Sequence, residues 1–487
     1  MNAQVTFTQN TTALTPISGF AYNDCAVDMN GDFIDDVVRV TGSGITIDYS
    51  NGDGTFSQTS FPMNIQSPPS WSIAAGDIDD NGYNDLCFGG GSSTSFVKAN
   101  SNGTMYTEDL QPDYIFSQRT TFADIDQDGH LDAFVCHDID LSHPFRNDGL
   151  GDLSLDQSLI QTVNLPGNYA AIWVDYDNDQ DIDLYITKCR GGAQPGDPAR
   201  TNGLYQNDGM GGYTEMAAAA NMDDNSQSWA TVFEDFDNDG DMDAFIVNHD
   251  FVNRLLCNDG NGAFIDTIDG SGIDKNDLGA WQNAAADFDN DGNVDILSEL
   301  NTSMLWGNGD LTFTAGTGIS FDDGGIGDFN NDGFLDVVNG DRIYFNDKNS
   351  NHWIKITLEG TISNLNGIGA RVEIFGSFGK QIRDVRSGQS FSPMSTLNAH
   401  FGIGQATAID SIVVKWPSGI VDVVTSPSID STTHIVESMV IAVDQPEPTN
   451  NLVLAPNPAT DRVRVQLDGP YFGEMTVRVY DIKGQVL

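Results

Sequence analysis

Short apolar runs alternate with polar turns on a recurring schedule along most of this chain. One run enters an acidic loop, as in Trp229-Ala-Thr-Val-Phe before Asp235 or Ala170-Ala-Ile-Trp-Val before Asp175. A second run leaves it, as in Ala244-Phe-Ile-Val, Leu184-Tyr-Ile-Thr and Val337-Val338. A third short run follows, such as Asn253-Arg-Leu-Leu, Gly203-Leu-Tyr or Arg342-Ile-Tyr-Phe. A Gly/Asn/Asp turn comes next, as in Asn258-Asp-Gly-Asn-Gly, which is strong hairpin chemistry. A fourth run then opens on an aromatic or Leu: Phe56, Tyr106, Leu153, Tyr213, Phe264 or Phe313. Runs of this length between turn residues predict strands, and four antiparallel strands per unit predict a propeller blade.

The acidic loop recurs seven times, its first residues 49, 47, 51, 60, 52 and 41 apart. A period near 50 residues means an array of supersecondary units. Side-chain oxygens stand at positions 1, 3, 5 and 9 of each loop. They are Asp28, Asn30, Asp32, Asp36; Asp77, Asp79, Asn81, Asp85; Asp124, Asp126, Asp128, Asp132; and Asp175, Asp177, Asp179, Asp183. The remaining three are Asp235, Asp237, Asp239, Asp243; Asp287, Asp289, Asp291, Asp295; and Asp328, Asn330, Asp332, Asp336. Alternating acids in a tight loop converge on one point, and hard oxygen donors at this density suit Ca²⁺. Without a cation, carboxylates so close repel one another strongly. The expected fold class is therefore all-β: a seven-bladed β-propeller with about seven calcium loops over residues 1–348. Six full fourth strands follow the seven loops. Gln4-Val-Thr-Phe7-Thr matches their pattern and is expected to pair into the last blade, removing its open edge.

Composition changes this picture little. Acids outnumber bases 71 to 21, for a formal charge of −50, so even a calcium-loaded chain stays acidic. That argues against nucleic acid and anionic membrane as partners. No apolar stretch is long enough for a membrane span. Cys25, Cys87, Cys136, Cys189 and Cys257 are scattered without a CxxC and are expected to be buried free thiols. Met1-Asn-Ala-Gln has no apolar core of a leader, as in a mature form with an added Met.

The loops, taken together, resemble the FG-GAP/VCBS repeat family, which includes the propeller of integrin α subunits. The resemblance implies Ca²⁺ held by positions 1, 3, 5 and 9 plus the position-7 carbonyl. Those carbonyls belong to Ile34, Tyr83, His130, Asp181, Asp241, Asn293 and Phe334. Two loops depart at position 6, with Phe33 and Gln180 where Gly is usual. A requirement for positive φ there would strain or alter sites one and four.

From residue 349 the acidic loops stop. His352-Trp-Ile-Lys-Ile-Thr-Leu-Glu, Ala370-Arg-Val-Glu-Ile-Phe and Ile412-Val-Val-Lys-Trp alternate as strands, predicting a small all-β domain over 349–440. Asn366-Gly-Ile-Gly-Ala-Arg-Val, Arg386-Ser-Gly, His400-Phe-Gly-Ile-Gly and Val414-Lys-Trp-Pro-Ser-Gly are similar to the ASPIC/UnbV domain, which commonly follows such propellers. Residues 441–451 read as a linker, Gln445-Pro-Glu-Pro included. Pro456-Asn457-Pro458 and Tyr480-Asp481-Ile-Lys-Gly484 within 452–487 resemble part of the C-terminal sorting domain of the type IX secretion system. That resemblance implies export to the exterior or outer-membrane surface of a Bacteroidetes-type bacterium and engagement of its secretion machinery. The tail ends earlier than such domains usually do, as in a truncated copy.

No catalytic set stands out. Ser387-Gly388 and Ser418-Gly419 lack a nucleophile elbow, and HExxH and P-loop patterns are missing. His137, His249 and Cys189 fall at equivalent strand ends, where a soft-metal site competes with ordinary packing. Six residues before the first Asp of their loops stand Tyr22, Trp71, Tyr169, Trp229 and Trp281; Gln118 and Asp322 take the place in repeats three and seven. If the entering strand is innermost, these aromatics ring the channel mouth opposite the acidic loops. There they can stack on sugar or peptide, or simply pack between blades. The function expected is a secreted or cell-surface, calcium-stabilised, non-enzymatic binding or adhesion protein for an extracellular glycan or protein. The rivals are a polysaccharide hydrolase or lyase, which needs an acid or base that is not a metal ligand, and a structural subunit of an extracellular assembly.

Overall fold

The structure is a computed structural model that describes residues 4–17, 19, 24–438, 452–455 and 464–467. It divides into two compact units, Met1–Ser438 and Met439–Leu487. Strands dominate; the helical pieces among the described residues are Pro198–Arg200 and Ala217–Ala220.

Seven four-stranded antiparallel sheets occupy the first 346 residues, each built in the order entering strand, leaving strand, third strand, outer strand. The first runs Cys25–Val27, Asp36–Thr41, Gly44–Ser50, Phe56–Pro62. The outer strands of sheets one to six begin at the aromatic or Leu that marked them in the sequence. In the seventh sheet that place is filled from the other end of the chain: Phe7–Asn10 pairs antiparallel with Arg342–Asn346. Without that pairing the Arg342–Asn346 strand would present unpaired backbone groups to any passing chain.

Each sheet is tied to the next by a side chain that satisfies a neighbouring loop. Asn84 Nδ2 donates to the Asp28 carbonyl (2.7 Å), Asn147 Nδ2 to Ile78 (2.8 Å), and the Tyr213 hydroxyl to Ile125 (2.9 Å). Asn258 Nδ2 donates to Tyr176 (2.7 Å), Asn283 Nδ2 to Phe245 (3.1 Å), and Asn346 Nδ2 to Phe288 (2.8 Å). Ser50 Oγ then joins the first sheet to the seventh through the Phe329 carbonyl, at 2.6 Å. Two of these donors, Asn147 and Asn258, are the Asn of an Asn-Asp-Gly turn, so one residue both shapes the hairpin and clamps the neighbour.

The second region has a three-stranded sheet, in which His352–Glu359 lies between Ala399–Gly404 and a parallel Ser431–Val436. It also has a four-stranded sheet ordered Gly379–Asp384, Arg371–Gly376, Ile409–Lys415, Val421–Thr425. The core does not stop at this region's edge. Ile354, Val372 and Trp416 share one apolar cluster with Phe122, Leu131 and Phe145 of the repeats.

The segment from Arg386 to Leu397 runs among the entering strands of the seven sheets. Its contacts alternate between apolar insertion and backbone pairing. Met394 exchanges backbone hydrogen bonds with Ala26 (2.8 Å) and Asp24 (3.0 Å), and Thr396 N donates to Ile326 (2.8 Å). Ser387 Oγ donates to Ala75 (2.8 Å), Arg386 Nη1 to Phe233 (2.8 Å), and Gln389 Nε2 to Ala285 (3.4 Å). Arg119, fully buried, donates from Nη1 to the Phe391 and Pro393 carbonyls. Phe391 stacks on Tyr169 of the fourth sheet. This segment thus contacts the entering strands of several sheets, Ala26, Phe233, Ala285 and Ile326 among them. In the other compact unit, Leu452–Ala455 pairs antiparallel with Arg464–Leu467; the rest of the expected sorting domain lies outside the described residues.

Candidate metal centres

Each acidic loop folds the same way because its own carboxylates organise its backbone. The position-1 carboxylate accepts the position-6 N–H: Phe33 to Asp28 (2.7 Å), Gly82 to Asp77 (2.6 Å), Gly240 to Asp235 (3.0 Å), Gly333 to Asp328 (3.1 Å). Position 5 accepts the position-7 N–H, as in His130 to Asp128 and Asn293 to Asp291. Position 9 accepts twice, once from position 2 and once from the end of the third strand. Asp243 takes the Phe236 N–H at 3.0 Å and the Asn258 N–H at 2.9 Å. The ninth residue therefore pins the loop to its sheet, a role the sequence did not reveal.

Position 6 has positive φ in all seven loops, from 63° at Phe33 to 98° at Gly240. The two non-glycine residues adopt it too, Phe33 at 63° and Gln180 at 75°. Phe33 gains a contact in return, its ring 4.5 Å from that of His434. Position 4 also lies in the left-handed region, which its run of Asn, Asp and Gln tolerates.

In five loops three carboxylates approach within 4.8 Å of one another: Asp77, Asp79, Asp85; Asp124, Asp126, Asp132; Asp175, Asp177, Asp183; Asp235, Asp237, Asp239; and Asp287, Asp289, Asp291. The position-3 oxygens decide what these clusters fit. Asp79 Oδ1, Asp126 Oδ1, Asp177 Oδ1 and Asp237 Oδ1 are buried with no hydrogen-bond partner. A buried carboxylate oxygen without a donor is costly, and a hard cation is the group that would satisfy it. These clusters could hold a metal ion. Loops one and seven place Asn at position 3 and bring Asp28, Asn30, Asp32, Asp36 and Asp328, Asn330, Asp332, Asp336 to the same positions.

Burial and mutual repulsion raise these acids well above the usual carboxylate range. Desolvation foremost pushes Asp77, Asp175, Asp235 and Asp289 to about 7, Asp36 and Asp132 to about 8, and Asp183 and Asp243 to about 9. Asp124 reaches about 6. The clusters are therefore poor homes for unneutralised charge.

Nearby bases supply some of the missing positive charge, Lys355 and Arg371 from the second region and Lys348 and Arg146 from the repeats. Lys355 Nζ is 3.1 Å from Asp328 Oδ2, and both side chains are almost fully buried. Lys348 Nζ lies 3.0 Å from Asp332 Oδ2 in the same loop. Arg371 reaches Asp175 at 3.3 Å, and Arg146 pairs with Asp126. Neighbouring loops are also joined to each other by a belt running from position 4 to the next position 7. Gln127 Nε2 bonds Asp181 (2.7 Å), Asn178 bonds Asp241, Asn238 Nδ2 bonds Asn293 Oδ1 (3.0 Å), and Asp80 lies 3.4 Å from His130. The loops of the first and seventh repeats offer Ile34 and Phe334 at position 7, and the second offers Tyr83, so the belt is confined to the middle of the array.

At the opposite ends of the entering strands the aromatic residues do come together. Trp229 lies 4.7 Å from Tyr169 and 5.0 Å from Trp281, and Trp281 lies 6.2 Å from Trp71. Phe391 sits beneath, 5.3 Å from Trp229. Trp71, Tyr169 and Trp229 are half-buried, whereas Trp281 remains 36% exposed. Packing and display coexist here. Tyr22 lies outside the described residues. Gln118, the third-sheet equivalent, is buried with Oε1 unpartnered. His249 stacks on Trp229 at 4.7 Å, and the Trp229 indole N–H donates to Cys189 Sγ at 3.0 Å. His137 faces His143 rather than either of those residues. His137, His249 and Cys189 are thus ring neighbours and hydrogen-bond acceptors, and none belongs to a cluster of potential metal ligands among the described residues. All five cysteines are free, four of them buried.

Sequence reasoning placed Asp322 at this end but missed Glu299, Asp323 and Asp24. Glu299 Oε2 accepts the Trp281 backbone N–H at 2.7 Å. Asp322 is exposed, and Asp323 and Asp24 are half-buried. None of the four is in an acidic loop; Asp322 and Asp323 are adjacent, and Glu299 and Asp24 lie apart from them in sequence.

Comparison with known families matches these features. FG-GAP-like repeats are found at residues 28–88, 175–246 and 235–298, and an ASPIC and UnbV domain at 360–441. The chain thus carries both, on a β-propeller-like fold. No curated protein matches it. Among solved structures, a lectin of Agrocybe aegerita that recognises non-reducing terminal N-acetylglucosamine is 16% identical, with a TM-score of 0.43 over 60% of this chain and 78% of that one. The rhamnogalacturonan lyase YesW is 10% identical, with a TM-score of 0.39 over 90% and 77%. The V. cholerae biofilm matrix protein Bap1 is 12% identical, with a TM-score of 0.34 over 87% and 63%.

Proposed function

We propose that this protein is a calcium-stabilised, non-enzymatic binding protein of the cell exterior. Its seven sheets are the blades of a closed propeller over residues 1–348, and residues 349–440 are a second β domain whose loop fills the axial channel. Side chains at positions 1, 3, 5 and 9 of the acidic loops, with the position-7 carbonyls, hold Ca²⁺ there. The cation supplies the charge that the buried, unpartnered position-3 oxygens need. The ring closes through the Phe7–Asn10 pairing and the Ser50 to Phe329 hydrogen bond.

The single observation that carries the binding role is the contrast between the ends. One end is tied down by contacts between acids and Lys or Arg, while the other gathers indoles at the starts of the entering strands, with Trp281 exposed. Residues 452–487 direct the chain through type IX secretion, which suits a calcium-rich exterior. Melting the full chain with and without EDTA tests the scaffold. Loss of metal lowers the melting temperature by on the order of 10 °C, because ligands that bind only the folded state stabilise it by linkage. An unchanged melting curve overturns it. A glycan array in Ca²⁺, run with wild type and Trp281→Ala, tests the binding role; binding that ignores the substitution overturns the mouth as its seat.

A polysaccharide-active enzyme is a second reading with its own observation. Glu299, Asp323 and Asp24 are acids outside the acidic loops; Glu299 bonds the Trp281 backbone, and its charge and that of Asp24 are felt at Asp323. Incubating soluble glycans with the protein in Ca²⁺ and following new reducing or unsaturated ends separates the two. Turnover abolished by Glu299→Gln would replace the binding role with catalysis.

A further inference from the structure

The aromatic mouth continues into an acidic edge. Trp71, Tyr169, Trp229 and Trp281 hold the ring position in sheets two, four, five and six, and the seventh sheet carries Asp322 at that position. Glu299 bridges the two characters, since it accepts the backbone N–H of Trp281 and its charge is felt at Asp323 together with those of Asp24 and Asp322. Burial and these neighbours push Asp323 up to about 8. The guanidinium groups near this end already have partners: Arg39 bonds Asp48 and Asp341, Arg190 faces Asp138 at 3.6 Å, and Arg200 holds Asp250 at 2.6 Å. The ion pairs among the described residues leave Glu299, Asp322 and Asp323 without a Lys or Arg.

The rings have a usable shape. Trp281 lies nearly parallel to Trp229 (22°, 5.0 Å) and nearly perpendicular to Trp71 (75°, 6.2 Å), which makes a corner rather than a flat wall. Phe391 closes the space below it, 6.3 Å from Trp71 and 5.9 Å from Tyr169. Gln118 adds a buried, unpartnered Oε1 at the same level of the third sheet.

We infer that this mouth binds a cationic amino sugar polymer, with the pyranose C–H face on Trp281 and Trp71 and the 2-ammonium group on Glu299 and Asp322. The inference rests on the binding role proposed above. A neutral glycan would use the indoles and leave the carboxylates facing one another. An isolated ammonium would use one carboxylate and little of the aromatic surface. A polymer with an ammonium on every residue matches the carboxylates of Glu299 and Asp322 beside the rings, and π-faces and carboxylates both attract such a cation.

The test uses the full chain in Ca²⁺, at a pH where the amines are protonated, and reads tryptophan fluorescence and titration calorimetry. The probes are hexaglucosamine, its fully N-acetylated counterpart and hexalysine. Hexaglucosamine binds at least tenfold more tightly than either of the others. Glu299→Gln and Trp281→Ala each weaken it by about tenfold, with Ca²⁺-dependent melting unchanged. Equal binding of the free and N-acetylated oligomers overturns the ammonium requirement yet leaves a binding protein. Hexalysine binding as tightly as hexaglucosamine overturns the sugar. No binding of any probe to protein that melts normally in Ca²⁺ overturns the site. Loss of the EDTA effect on melting would instead strike the calcium scaffold alone.

Discussion

The two ends of the entering strands carry negative charge in opposite ways. At the loop end, carboxylates crowd within 4.8 Å, organise their own backbone and meet Lys355, Arg371 and the neighbouring loops. At the mouth, Glu299 accepts the Trp281 backbone N–H, and Glu299, Asp322 and Asp323 have no Lys or Arg partner among the described residues. Charge that is paired and hydrogen-bonded to its own loop builds a scaffold. Charge left beside apolar rings is available to something else. The segment from Arg386 to Leu397 joins the two, since its base pairs with Glu234 and its Phe391 tip supports the mouth.

The sharpest way to separate the ends is pH. The loop acids titrate higher in the folded chain than in the unfolded one, chiefly through burial: Asp77 near 7, Asp132 near 8, Asp243 near 9. A raised carboxyl contributes stability that is full below its unfolded value, about 4, and is lost as pH rises through the folded value. In EDTA, the melting temperature therefore falls steadily between about pH 5 and pH 9. In Ca²⁺ the curve flattens over the same window, because the metal takes the deprotonated form and its stabilisation grows with pH enough to offset the loss. Parallel curves with and without Ca²⁺ would mean that the loop acids are not its ligands.

Phe391→Ala tests the link between the ends. The side chain is 1% exposed and touches Trp71, Tyr169 and Trp229. Removing it costs about 3–5 kcal/mol and changes tryptophan emission, while Ca²⁺ still raises the melting temperature. A variant that melts like wild type would show that the mouth supports itself.

Much of the loop end was legible because its chemistry is local. Asp235, Asp237, Asp239 and Asp243 sit within nine residues, so alternation alone brings them together, and the apolar runs on either side mark the two strands. Even the unusual Phe33 and Gln180 signalled a backbone requirement, which both satisfy at positive φ. The mouth was only half legible. Strand register placed Trp71, Trp229 and Trp281 at one level, but Glu299 comes from a leaving strand and reaches Trp281 across 18 residues. The segment from Arg386 to Leu397 gave no sign at all. Ser387-Gly-Gln-Ser-Phe-Ser-Pro-Met394 has neither helical nor strand periodicity, and two of its partners, Asp24 and Ala26, lie more than 360 residues from Met394. Long-range complementarity of that kind leaves no pattern in a single chain.

Within the loop end, the sixth and seventh repeats offer a finer contrast. Asp287, Asp289 and Asp291 cluster closely, whereas Asp328 and Asp332 are bonded by Lys355 and Lys348. Lysine charge already offsets part of the seventh loop's, so that loop is expected to hold Ca²⁺ more weakly than the sixth. Lys355→Met leaves Asp328 buried without its partner, which costs about 3 kcal/mol in EDTA. Ca²⁺ recovers most of that loss. Asp289→Asn does the reverse: it changes stability little in EDTA and reduces the Ca²⁺ gain. Calorimetric Ca²⁺ titration of the two variants checks the order, and equal losses of site number would erase the distinction.

The smallest effect concerns the belt between loops. Asn238 lies at position 4 of the fifth loop, and its Nδ2 donates to Asn293 Oδ1 at position 7 of the sixth, 3.0 Å away. Both side chains hang from backbone that helps to define a metal loop, so ordering one loop restrains the next. Asn238→Ala removes one hydrogen bond, worth about 1 kcal/mol, and leaves every proposed ligand in place. Its signature is therefore not a lost site but a flatter Ca²⁺ isotherm, with the Hill coefficient falling towards one. Ile34→Ala, in a loop outside the belt, leaves the steepness unchanged. If both variants flatten the isotherm alike, coupling runs through general rigidity of the sheets and not through this hydrogen bond.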